Sequence, residues 1–371
     1  MILLYIIIPL FIAYSLLILY YWLGWKNIPV FVSSTKKPQT RFSVIIPARN
    51  EEANIGKLLT SLSLQSYPKD LYEVIVVDDH STDKTEEVVK QFPDVRLVAL
   101  KDTTINSAKK KALEIGIDKA QGDWIVTTDA DCIPPETWLQ TIAAFKEKYN
   151  PVCIAAPVLF SSNSSLLHLF QSLDFLVLQG ITGASVHKKA HPMGNGANLG
   201  YEKQIFYEVK GFAGIDKIAS GDDMLLVNKI MKAYPCRVHY LKSKQAIVTT
   251  LPMQSWQEFI NQRRRWASKI FYYKNWKIFS VLLIVYLFNL SFLVLLAAGF
   301  LNQRYWICLA GLLVGKTILE FPFLYSIAAF FNRKKLLWYF FFLQPLHIGY
   351  TLLAGLLGQS RKYEWKGRRV R

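Results

Sequence analysis

The chain has 371 residues, a formal net charge of +17, 52% hydrophobic side chains and 14% aromatic side chains. This length is enough for two or three structural units whose cores need no covalent cross-links. Nucleic-acid binders are usually basic and polar, whereas this chain is basic and apolar. The composition therefore argues against a nucleic-acid partner and favours an anionic membrane surface or an anionic substrate.

The cysteines indicate a reduced environment. The four of them are scattered, with no C-x-x-C pair and no adjacent histidine: Cys132, Cys153, Cys236 and Cys308. This spacing is neither that of a disulfide framework nor that of a zinc site. We therefore expect the main body of the chain to face the cytosol.

The amino-terminal residues 1–25 contain no charged side chain, and Lys26, Lys36, Lys37 and Arg41 follow them. About 20 apolar residues suffice to cross the hydrocarbon layer of a membrane. The stretch has neither a basic start nor an A-x-A-like cleavage site, so it predicts a retained transmembrane anchor rather than a signal peptide. The positive-inside rule then places the amino terminus outside and the following residues in the cytoplasm.

Residues 40–250 alternate short β-rich apolar runs with amphipathic helical stretches, which predicts an α/β domain with a mostly parallel sheet. In such sheets ligands bind beyond the carboxyl ends of the strands. Three of the predicted strands end in polar residues, so a site is expected at one edge of the sheet. These endings are Pro47-Ala-Arg-Asn-Glu51, Asp78-Asp79 and Asp129-Ala-Asp131.

The acidic pair Asp129 and Asp131 follows a predicted strand directly. Positions i and i+2 of a strand point to the same side, so the two carboxylates would repel each other unless a cation lay between them. A hard divalent cation such as Mg²⁺ or Mn²⁺ is the simplest candidate. The alternative is an ordinary acidic turn, since Asp is common in turns. Neither a G-x-G-x-x-G nor a P-loop motif is present, so nothing indicates dinucleotide or P-loop chemistry.

An ordered set of motifs resembles a known family. The segments are FSVIIPARNEE, VIVVDDHSTD, AKKKAL, TTDAD, GNGANLGY, GDD and QRRRW. Together they resemble the membrane-bound glycosyltransferase family 2 enzymes, the group that includes ceramide glucosyltransferase and the cellulose and hyaluronan synthases. The resemblance covers about residues 40–270. It implies a GT-A fold, a nucleotide-diphospho-sugar donor, a divalent metal and inversion at the anomeric carbon.

The resemblance also implies roles for individual residues on the donor side. Asp131 would be the principal metal ligand, with Asp129 binding metal and nucleotide. Lys109 matches a lysine that in the family often follows glycine, although Ala108 precedes it here. A solvated lysine on a helix is the alternative for Lys109. The full set implied to bind the donor is Pro47, Arg49, Glu51, Asp79, Lys109 and Asp129.

Asp222 and Asp223 lie directly before a predicted helix over residues 224–232. The resemblance implies that they are catalytic, with Asp223 as the base that deprotonates the acceptor hydroxyl. A carboxylate gains proton affinity when it is desolvated or lies beside another acid, which suits this role. Asp222 is shorter than the glutamate that the family often has. The alternative is a pair of acids that cap a helix.

Residues 251–275 carry an apolar stripe formed by Trp256, Phe259, Trp266 and Ile270, which predicts an amphipathic helix on the membrane surface. The resemblance implies that the QRRRW motif within it contacts the acceptor or the diphosphate through Gln262, Arg265 and Trp266. For Arg263 and Arg264 binding to lipid phosphates is an equal alternative. The glycine-rich loop 194–200 lets the backbone approach a ligand, and Asn195 and Gly196 are its candidate contacts.

The carboxyl-terminal region 276–358 contains three apolar runs. The first two, Val281–Leu301 and Trp306–Phe331, predict membrane spans, and Lys316 and Glu320 within the second are expected to pair. Pro345 is expected to divide the third run, Leu336–Gly358, into two pieces too short to span. A re-entrant or interfacial segment would keep the basic tail 359–371 in the cytoplasm.

The sequence thus predicts an integral membrane protein of a bacterial-type cell membrane that transfers a single sugar to a lipid or glycan acceptor. A processive polysaccharide synthase is the first alternative, and a catalytically silent membrane scaffold is the second. The sugar, the nucleobase and the acceptor are not identified by the sequence. The oligomeric state is also left open, and a homo-oligomer fits the sequence as well as a monomer.

Overall fold

The computed structural model describes residues 2–33, 38–100, 108–161, 165–216, 218, 220–268, 276–357, 363–365 and 368–370. Of the sequence-predicted features, Ile270 and most of the basic tail lie outside these residues. The chain divides into two compact units. The first consists of Met1–Asn27, Ser162–Ala184 and Met253–Arg361, and the second of Ile28–Ser161, Ser185–Pro252 and Lys362–Arg371.

The helices alternate with strands in the middle of the chain and dominate both of its ends. They are α1 Ile2–Asn27, α2 Ile55–Ser63, α3 Thr85–Val89, α4 Ala108–Lys119, α5 Trp138–Tyr149, α6 Leu166–His187, α7 Lys203–Glu208, α8 Asp222–Ala233, α9 Trp256–Ala267, α10 Trp276–Leu301, α11 Arg304–Phe330 and α12 Leu337–Leu357.

The strands are short, and all of those in the described part of the chain belong to the second unit. They are β1 Phe42–Ala48, β2 Tyr72–Asp78, β3 Val95–Ala99, β4 Trp124–Thr127, β5 Cys153–Ala155, β6 Val158–Phe160, β7 Leu199–Glu202, β8 Val238–Tyr240, β9 Val248–Thr250, β10 Tyr363–Trp365 and β11 Arg368–Val370.

A seven-stranded sheet in the order β3-β2-β1-β4-β7-β5-β8 forms the core of the second unit. β1 pairs in parallel with β2 and with β4, whereas β7 runs antiparallel to both β4 and β5. β6 and β9 form a separate parallel pair. The predicted α/β fold with a mostly parallel sheet is confirmed. Because β1, β2 and β4 are parallel, the residues that follow them emerge at one edge.

The central strand β1 is buried on both faces, as its continuous apolar sequence indicates. Val44, Ile45 and Ile46 have no exposed surface. Helix α4 packs closely against this strand at Gly116, where a Cβ atom would lie 2.5 Å from a methyl carbon of Ile45. The missing side chain therefore lets α4 approach the sheet closely.

The first unit is helical, and five described helices of the chain are long and apolar enough to cross a membrane: α1, α6, α10, α11 and α12, each over most of its length. The sequence predicted spans at α1, α10 and α11. In the most apolar 18-residue stretch of α1, 11% is buried within the protein, compared with 72% in that of α6. The α6 segment is therefore mainly in contact with protein, which explains why it tolerates Gln171 and Asp174.

The expectation that Pro345 divides the third carboxyl-terminal run is wrong. Helix α12 is continuous over 21 residues, with Pro345 inside it. At 1.5 Å per residue its length is about 31 Å, enough to cross a hydrocarbon layer. Proline removes one backbone N–H, and helices in membranes tolerate this loss when neighbouring groups satisfy the freed carbonyl. The argument for a re-entrant segment therefore no longer holds.

The expected pairing of Lys316 and Glu320 in α11 is confirmed. The Nζ atom of Lys316 lies 2.8 Å from Oε1 of Glu320 and also donates to Oε1 of Gln344 at 2.6 Å. Gln344 in turn donates to Glu320 at 2.7 Å, and Tyr14 of α1 donates a hydrogen bond to the same glutamate. These four side chains, here called the helix-bundle cluster, join α1, α11 and α12.

Candidate active site

The sheet edge gathers the acids that the sequence placed after β1, β2 and β4. The side chain of Thr127, the last residue of β4, donates to the main-chain oxygen of Gly196 at 2.8 Å. Asp129 and Asp131 follow directly. Asp131 accepts a hydrogen bond of 3.2 Å from the Thr250 hydroxyl at the end of β9. The strand pairing and this contact together fix the acidic pair beside the 194–200 loop.

The carboxylate of Asp131 lies in a crowded, negative environment. Burial, followed by the charges of Asp129 and Glu51, raises its pKa to about 6. An acid whose pKa rises because of like charges is one that a cation would stabilise. Asp129 and Asp131 therefore have the properties of carboxylates that share a positive ligand.

Lys109, in the first turn of α4, supplies one positive charge to this edge. Its Nζ atom lies 2.7 Å from Oδ1 of Asp129 and 3.3 Å from Oδ2 of Asp222. Burial disfavours the charged amine, but the carboxylates of Asp129 and Asp222 outweigh that effect and raise the pKa of Lys109. The ammonium is therefore a fixed cation that bridges the acids after β4 and those at the start of α8.

Asp222 and Asp223 form the first turn of α8, two residues earlier than the sequence predicted. Gly221 precedes them in the left-handed conformation, with φ of +79°. The backbone N–H of Gly196 donates to Oδ2 of Asp223 at 3.2 Å, and the N–H of Met224 donates to Oδ1 at 2.7 Å. Both oxygens of Asp223 are therefore oriented by backbone groups.

Gly196 lies where any side chain would be in tight contact with the acids. An added Cβ atom would be 3.3 Å from Oδ2 of Asp222 and 3.6 Å from Nζ of Lys109. The neighbouring Asn195 accepts a hydrogen bond from the N–H of Ala197 at 3.1 Å, which holds the turn. The glycine-rich loop therefore forms one wall of the acidic cluster, whereas Asn195 serves the loop itself.

The residues assigned to the nucleoside by resemblance lie after β1 and β2 in the same unit. Arg49 donates to the main-chain oxygens of Asp79 at 2.7 Å and of His80 at 3.2 Å. Asp79 is 2% exposed and its carboxylate lies 3.1 Å from Nδ1 of His80. Glu51 accepts a hydrogen bond from Asn54 at 3.0 Å. Arg49 thus braces the loop after β2, while Pro47 remains half-buried at the end of β1.

The QRRRW motif lies on α9 in the first unit. Its Arg263 is 3% exposed and its guanidinium lies 2.6 Å from Oδ2 of Asp174 on α6. The same guanidinium stacks 4.1 Å from the ring centre of Trp266 and 4.8 Å from that of Phe259. Arg263 is therefore not exposed to lipid phosphates, and that alternative is wrong for it. The side chains of Gln262, Arg264, Arg265 and Trp266 are half-buried.

The carboxylates at the sheet edge could hold a hard cation only together with oxygen atoms from a bound ligand. Within the described part of the chain, no group of three or more His, Cys, Asp or Glu side chains could hold a metal ion alone. Asp129 and Asp131 nevertheless offer carboxylate oxygens, the ligands that Mg²⁺ and Mn²⁺ prefer. Because Mg²⁺ is usually held by one or two carboxylates together with substrate phosphates, the residues present fit such an ion.

Three residues of this region were not singled out from the sequence: Thr250, Lys110 and Asn198. Asn198 has no exposed surface, and its amide donates to the main-chain oxygens of Pro157 and Ala246, both at 2.8 Å. Its Oδ1 accepts from the indole N–H of Trp138 at 2.9 Å. The second asparagine of GNGANLG is thus structural. Its position in a glycine-rich motif was the available signal, but it suggested a ligand rather than the core.

Comparison with known proteins finds similar sequences and a similar fold. Residues 43–210 match the family described as Glycosyl transferase family 2. The Probable glycosyltransferase YdaM of Bacillus subtilis (strain 168) is 26% identical over 250 residues, which are 65% of this chain and 58% of that protein. The Beta-monoglucosyldiacylglycerol synthase of Synechocystis sp. is 32% identical over 112 residues, 29% of this chain and 23% of that protein. The chain thus covers less than two thirds of either relative.

A solved structure extends the similarity of fold to nearly the whole chain. It is the mannosyltransferase PcManGT from Pyrobaculum calidifontis in complex with GDP-Man and Mn²⁺, with a TM-score of 0.60 and 22% sequence identity. The alignment covers 96% of this chain and 99% of that one. The sheet is that of a domain with a GT-A-like fold. Within this domain, residues 43–210 are similar to glycosyltransferase family 2.

Proposed function

We propose that the chain is an inverting glycosyltransferase that moves one sugar from a nucleotide-diphospho-sugar to a hydroxyl of a lipid or lipid-linked acceptor, with Mg²⁺ or Mn²⁺. The carrying observation is the Lys109 ammonium, which contacts both Asp129 and Asp222. An acid placed to hold the metal ion of the donor diphosphate and an acid beside the proposed base thus contact the same amino group.

On the donor side, Asp129 and Asp131 would hold the divalent ion, whose charge would stabilise the departing diphosphate. Lys109 would exchange one carboxylate for a phosphate oxygen when the donor binds, because the ammonium already faces the edge of the sheet. Arg49 would support the nucleoside indirectly through the loop that contains Asp79. The carboxylate of Asp79 would need to become accessible before it could contact the donor directly.

On the acceptor side, Asp223 would accept the proton of the attacking hydroxyl. The acceptor oxygen forms a bond with the anomeric carbon while the bond from that carbon to the diphosphate oxygen breaks. The electron pair of that bond leaves with the nucleotide diphosphate, and the proton remains on Asp223. One displacement of this kind inverts the anomeric carbon and involves no covalent sugar–enzyme intermediate. The Gly196 and Met224 amides orient the carboxylate for this role.

A lipid acceptor is supported by the five helices that are apolar enough to cross a membrane. One relative carries a glycolipid synthase name, although only 112 residues align with it. In this proposal the QRRRW helix α9 handles the acceptor or the leaving diphosphate through Gln262, Arg265 and Trp266. The catalytic domain would face the cytoplasm of a bacterial-type cell.

The test is Asp223→Asn in the full chain, purified in detergent and mixed with UDP- and GDP-sugars, Mn²⁺ and a membrane lipid extract. We expect the wild-type chain to release nucleotide diphosphate and to label a lipid, with both activities lost in EDTA. Turnover in Asp223→Asn should fall by about 10²–10⁴-fold, the usual contribution of a general base. Its donor affinity, measured by thermal shift with Mn²⁺, should stay within about twofold of the wild-type value, since Asp223 makes no bond to the donor in this mechanism.

Asp94→Asn is the matched control, because Asp94 is exposed in the turn before β3. Unchanged turnover in Asp223→Asn, or no stabilisation by any of these donors, would overturn the proposal. A labelled polymer instead of a singly glycosylated lipid would favour the processive alternative. Donor binding without any release of nucleotide diphosphate would favour the scaffold.

A further inference from the structure

Lys110, the residue after Lys109 on α4, has a contact set that the family motif does not account for. Its side chain is only 2% exposed. Its Nζ atom donates to the main-chain oxygens of Ile215 at 2.8 Å and Ser220 at 3.1 Å, and also to that of Ile218. An ammonium has three donors, and here three backbone carbonyls of one short segment accept them. Lys110 therefore holds the segment that leads into α8.

Burying an ammonium is costly unless several acceptors surround it. An apolar side chain would fill the same space without that cost, so the lysine contributes something other than burial. What it contributes is the position of Ile215, Ile218 and Ser220, whose main-chain carbonyls accept its hydrogen bonds. If the ammonium were removed, these carbonyls would need other partners or solvent.

The segment ends at the proposed base. Gly221 follows Ser220 with φ of +79°, and Asp222 and Asp223 then open α8. On the neighbouring side, Lys109 contacts the Asp222 carboxylate. Two successive residues of α4 therefore act on the same acidic turn, one through its side chain and the other through the backbone that precedes it.

The earlier part of the connection between α7 and α8 is held in the same way by Lys229, a residue of α8. The Nζ atom of Lys229 donates to the main-chain oxygens of Gly211 at 2.6 Å, Ala213 at 3.0 Å and Lys210 at 3.2 Å. Lys229 and Lys110 thus hold opposite halves of the connection between α7 and α8. Lys110 acts on the half adjacent to the acids, so its loss should affect them more.

We infer that Lys110 is a positioning residue for the acceptor base. It fixes the backbone at Ile215, Ile218 and Ser220 so that the carboxylate of Asp223 stays against the Gly196 amide, and this inference rests on the proposed function. A motion of the Ser220–Gly221 backbone would carry the first turn of α8 with it. Catalytic geometry tolerates displacements of only a few tenths of an ångström before the rate falls, so positioning has a measurable effect.

The experiment compares Lys110→Met with Lys111→Met in the full chain in detergent. Lys111 follows on the same helix, is half-exposed and pairs with Glu114. We expect Lys110→Met to lower kcat by about 10–100-fold while donor affinity stays within about twofold of wild type. Hydrogen exchange should accelerate in peptides covering 210–223 and not in β1 or β4. Lys111→Met should leave all three measurements unchanged.

A double-mutant cycle separates positioning from a general loss of structure. If Lys110 acts through Asp223, adding Lys110→Met to Asp223→Asn should change the residual turnover by less than about twofold. A merely structural role would lower the residual turnover by the same factor as in the wild-type background. It would also weaken donor binding.

Lys110→Gln keeps two N–H donors and is the variant to use if Lys110→Met does not fold. An intermediate kcat for Lys110→Gln would support the inference. Wild-type kcat in either variant, equal losses of donor affinity and kcat, or failure of Lys110→Gln to fold would overturn it. The two proposals can fail separately. Full turnover in Asp223→Asn would remove the proposed base, whereas loss of turnover there with normal turnover in Lys110→Met would remove only the role of Lys110.

Discussion

Two lysines, one at the sheet edge and one in the helix-bundle cluster, pair with carboxylates but differ in exposure. The Lys109 side chain is 22% exposed and contacts Asp129, which is 35% exposed. The Lys316 side chain has no exposed surface and contacts Glu320, which is 13% exposed. Both ammonium groups lie within 3 Å of a carboxylate oxygen, but only the first pair remains open to a ligand.

The difference indicates how the same pair of groups can serve binding in one region and structure in another. In the helix-bundle cluster, Gln344 bonds to both Lys316 and Glu320, and Tyr14 donates to the glutamate as well. At the sheet edge, Lys109 contacts two of the acids, and Asp131 accepts hydrogen bonds from the Thr250 hydroxyl and the Cys132 thiol. The charges of Asp129 and Glu51 act on Asp131 and raise its pKa, so a cationic ligand has a place to act.

The largest expected effect is on turnover and comes from the acids at the sheet edge, near the Lys109–Asp129 pair. Asp131→Asn should lower turnover by about 10³-fold or more, because metal stabilisation of the leaving group contributes several kcal/mol. Removing a charge from a crowded acidic site should not lower the melting temperature. The control is Asp123→Asn, which alters an exposed acid at the other end of β4. Turnover within tenfold of wild type would exclude Asp131 as the principal metal ligand.

For the buried Lys316–Glu320 pair we expect a substitution to lower the stability of the protein. Lys316→Met leaves a buried carboxylate without its ammonium, which should lower the free energy of unfolding by about 3–5 kcal/mol. The double variant Lys316→Met/Glu320→Leu should recover most of this loss, because no unpaired charge remains. Equilibrium unfolding in detergent measures both, with Lys335→Met at the exposed end of the α11–α12 connection as the control. If Lys316→Met were as stable as the wild-type protein, the structural role assigned to this pair would be wrong.

An intermediate effect is expected for Lys109→Met, whose kcat should fall by about 10–100-fold, or about 1.4–2.7 kcal/mol. The substitution removes both the bridge to Asp222 and the cation proposed to meet the diphosphate. It also removes a positive charge that competes with metal for Asp129. Electron paramagnetic resonance should therefore detect tighter Mn²⁺ binding in the absence of donor. Weaker Mn²⁺ binding would show that Lys109 supports the metal rather than competing with it.

The smallest expected effect concerns Lys242, whose pKa is lowered by burial. Lys242 is 6% exposed, its Nζ donates to the main-chain oxygen of Ile28 at 3.3 Å, and burial lowers its pKa to about 8. The charged form therefore costs stability below pH 8, and this cost disappears as the pH rises from 8 towards the unfolded value of 10.5.

Lys242→Met should accordingly raise the melting temperature by about 2–4 °C at pH 7, equivalent to about 1 kcal/mol. The gain should shrink between pH 8 and pH 10. Thermal unfolding at several pH values tests this, with Lys244→Met, a neighbour whose side chain is exposed, as the control. A gain independent of pH would indicate that the charge of Lys242 is not the cause.

The sequence predicted the sheet edge well because strand endings are local features. Asp129 and Asp131 follow an apolar run directly, and parallel pairing then brings such endings together. It did not predict α6 as an apolar span, because Gln171 and Asp174 interrupt the hydropathy pattern and their partners, Met253 and Arg263, lie far away in the chain.

Two other misses have different physical causes. Pro345 suggested a break, but proline removes only one donor, and the helix continues on both sides of it. The partners of Lys110 are main-chain carbonyls, which every residue carries, so no side-chain pattern could reveal them. Sequence motifs identified the acids themselves, whereas the groups that hold those acids in place depend on tertiary structure.

The bridge formed by Lys109 has a practical consequence for handling the protein. The Lys109 ammonium already offsets part of the negative charge of Asp129 and Asp222, so we expect the fold of the sheet edge not to require an added ion. Preparations stripped with a chelator should keep their melting temperature and regain activity at once when Mn²⁺ is restored. The concentration of divalent ions would then change the rate of sugar transfer without changing the stability of the folded protein.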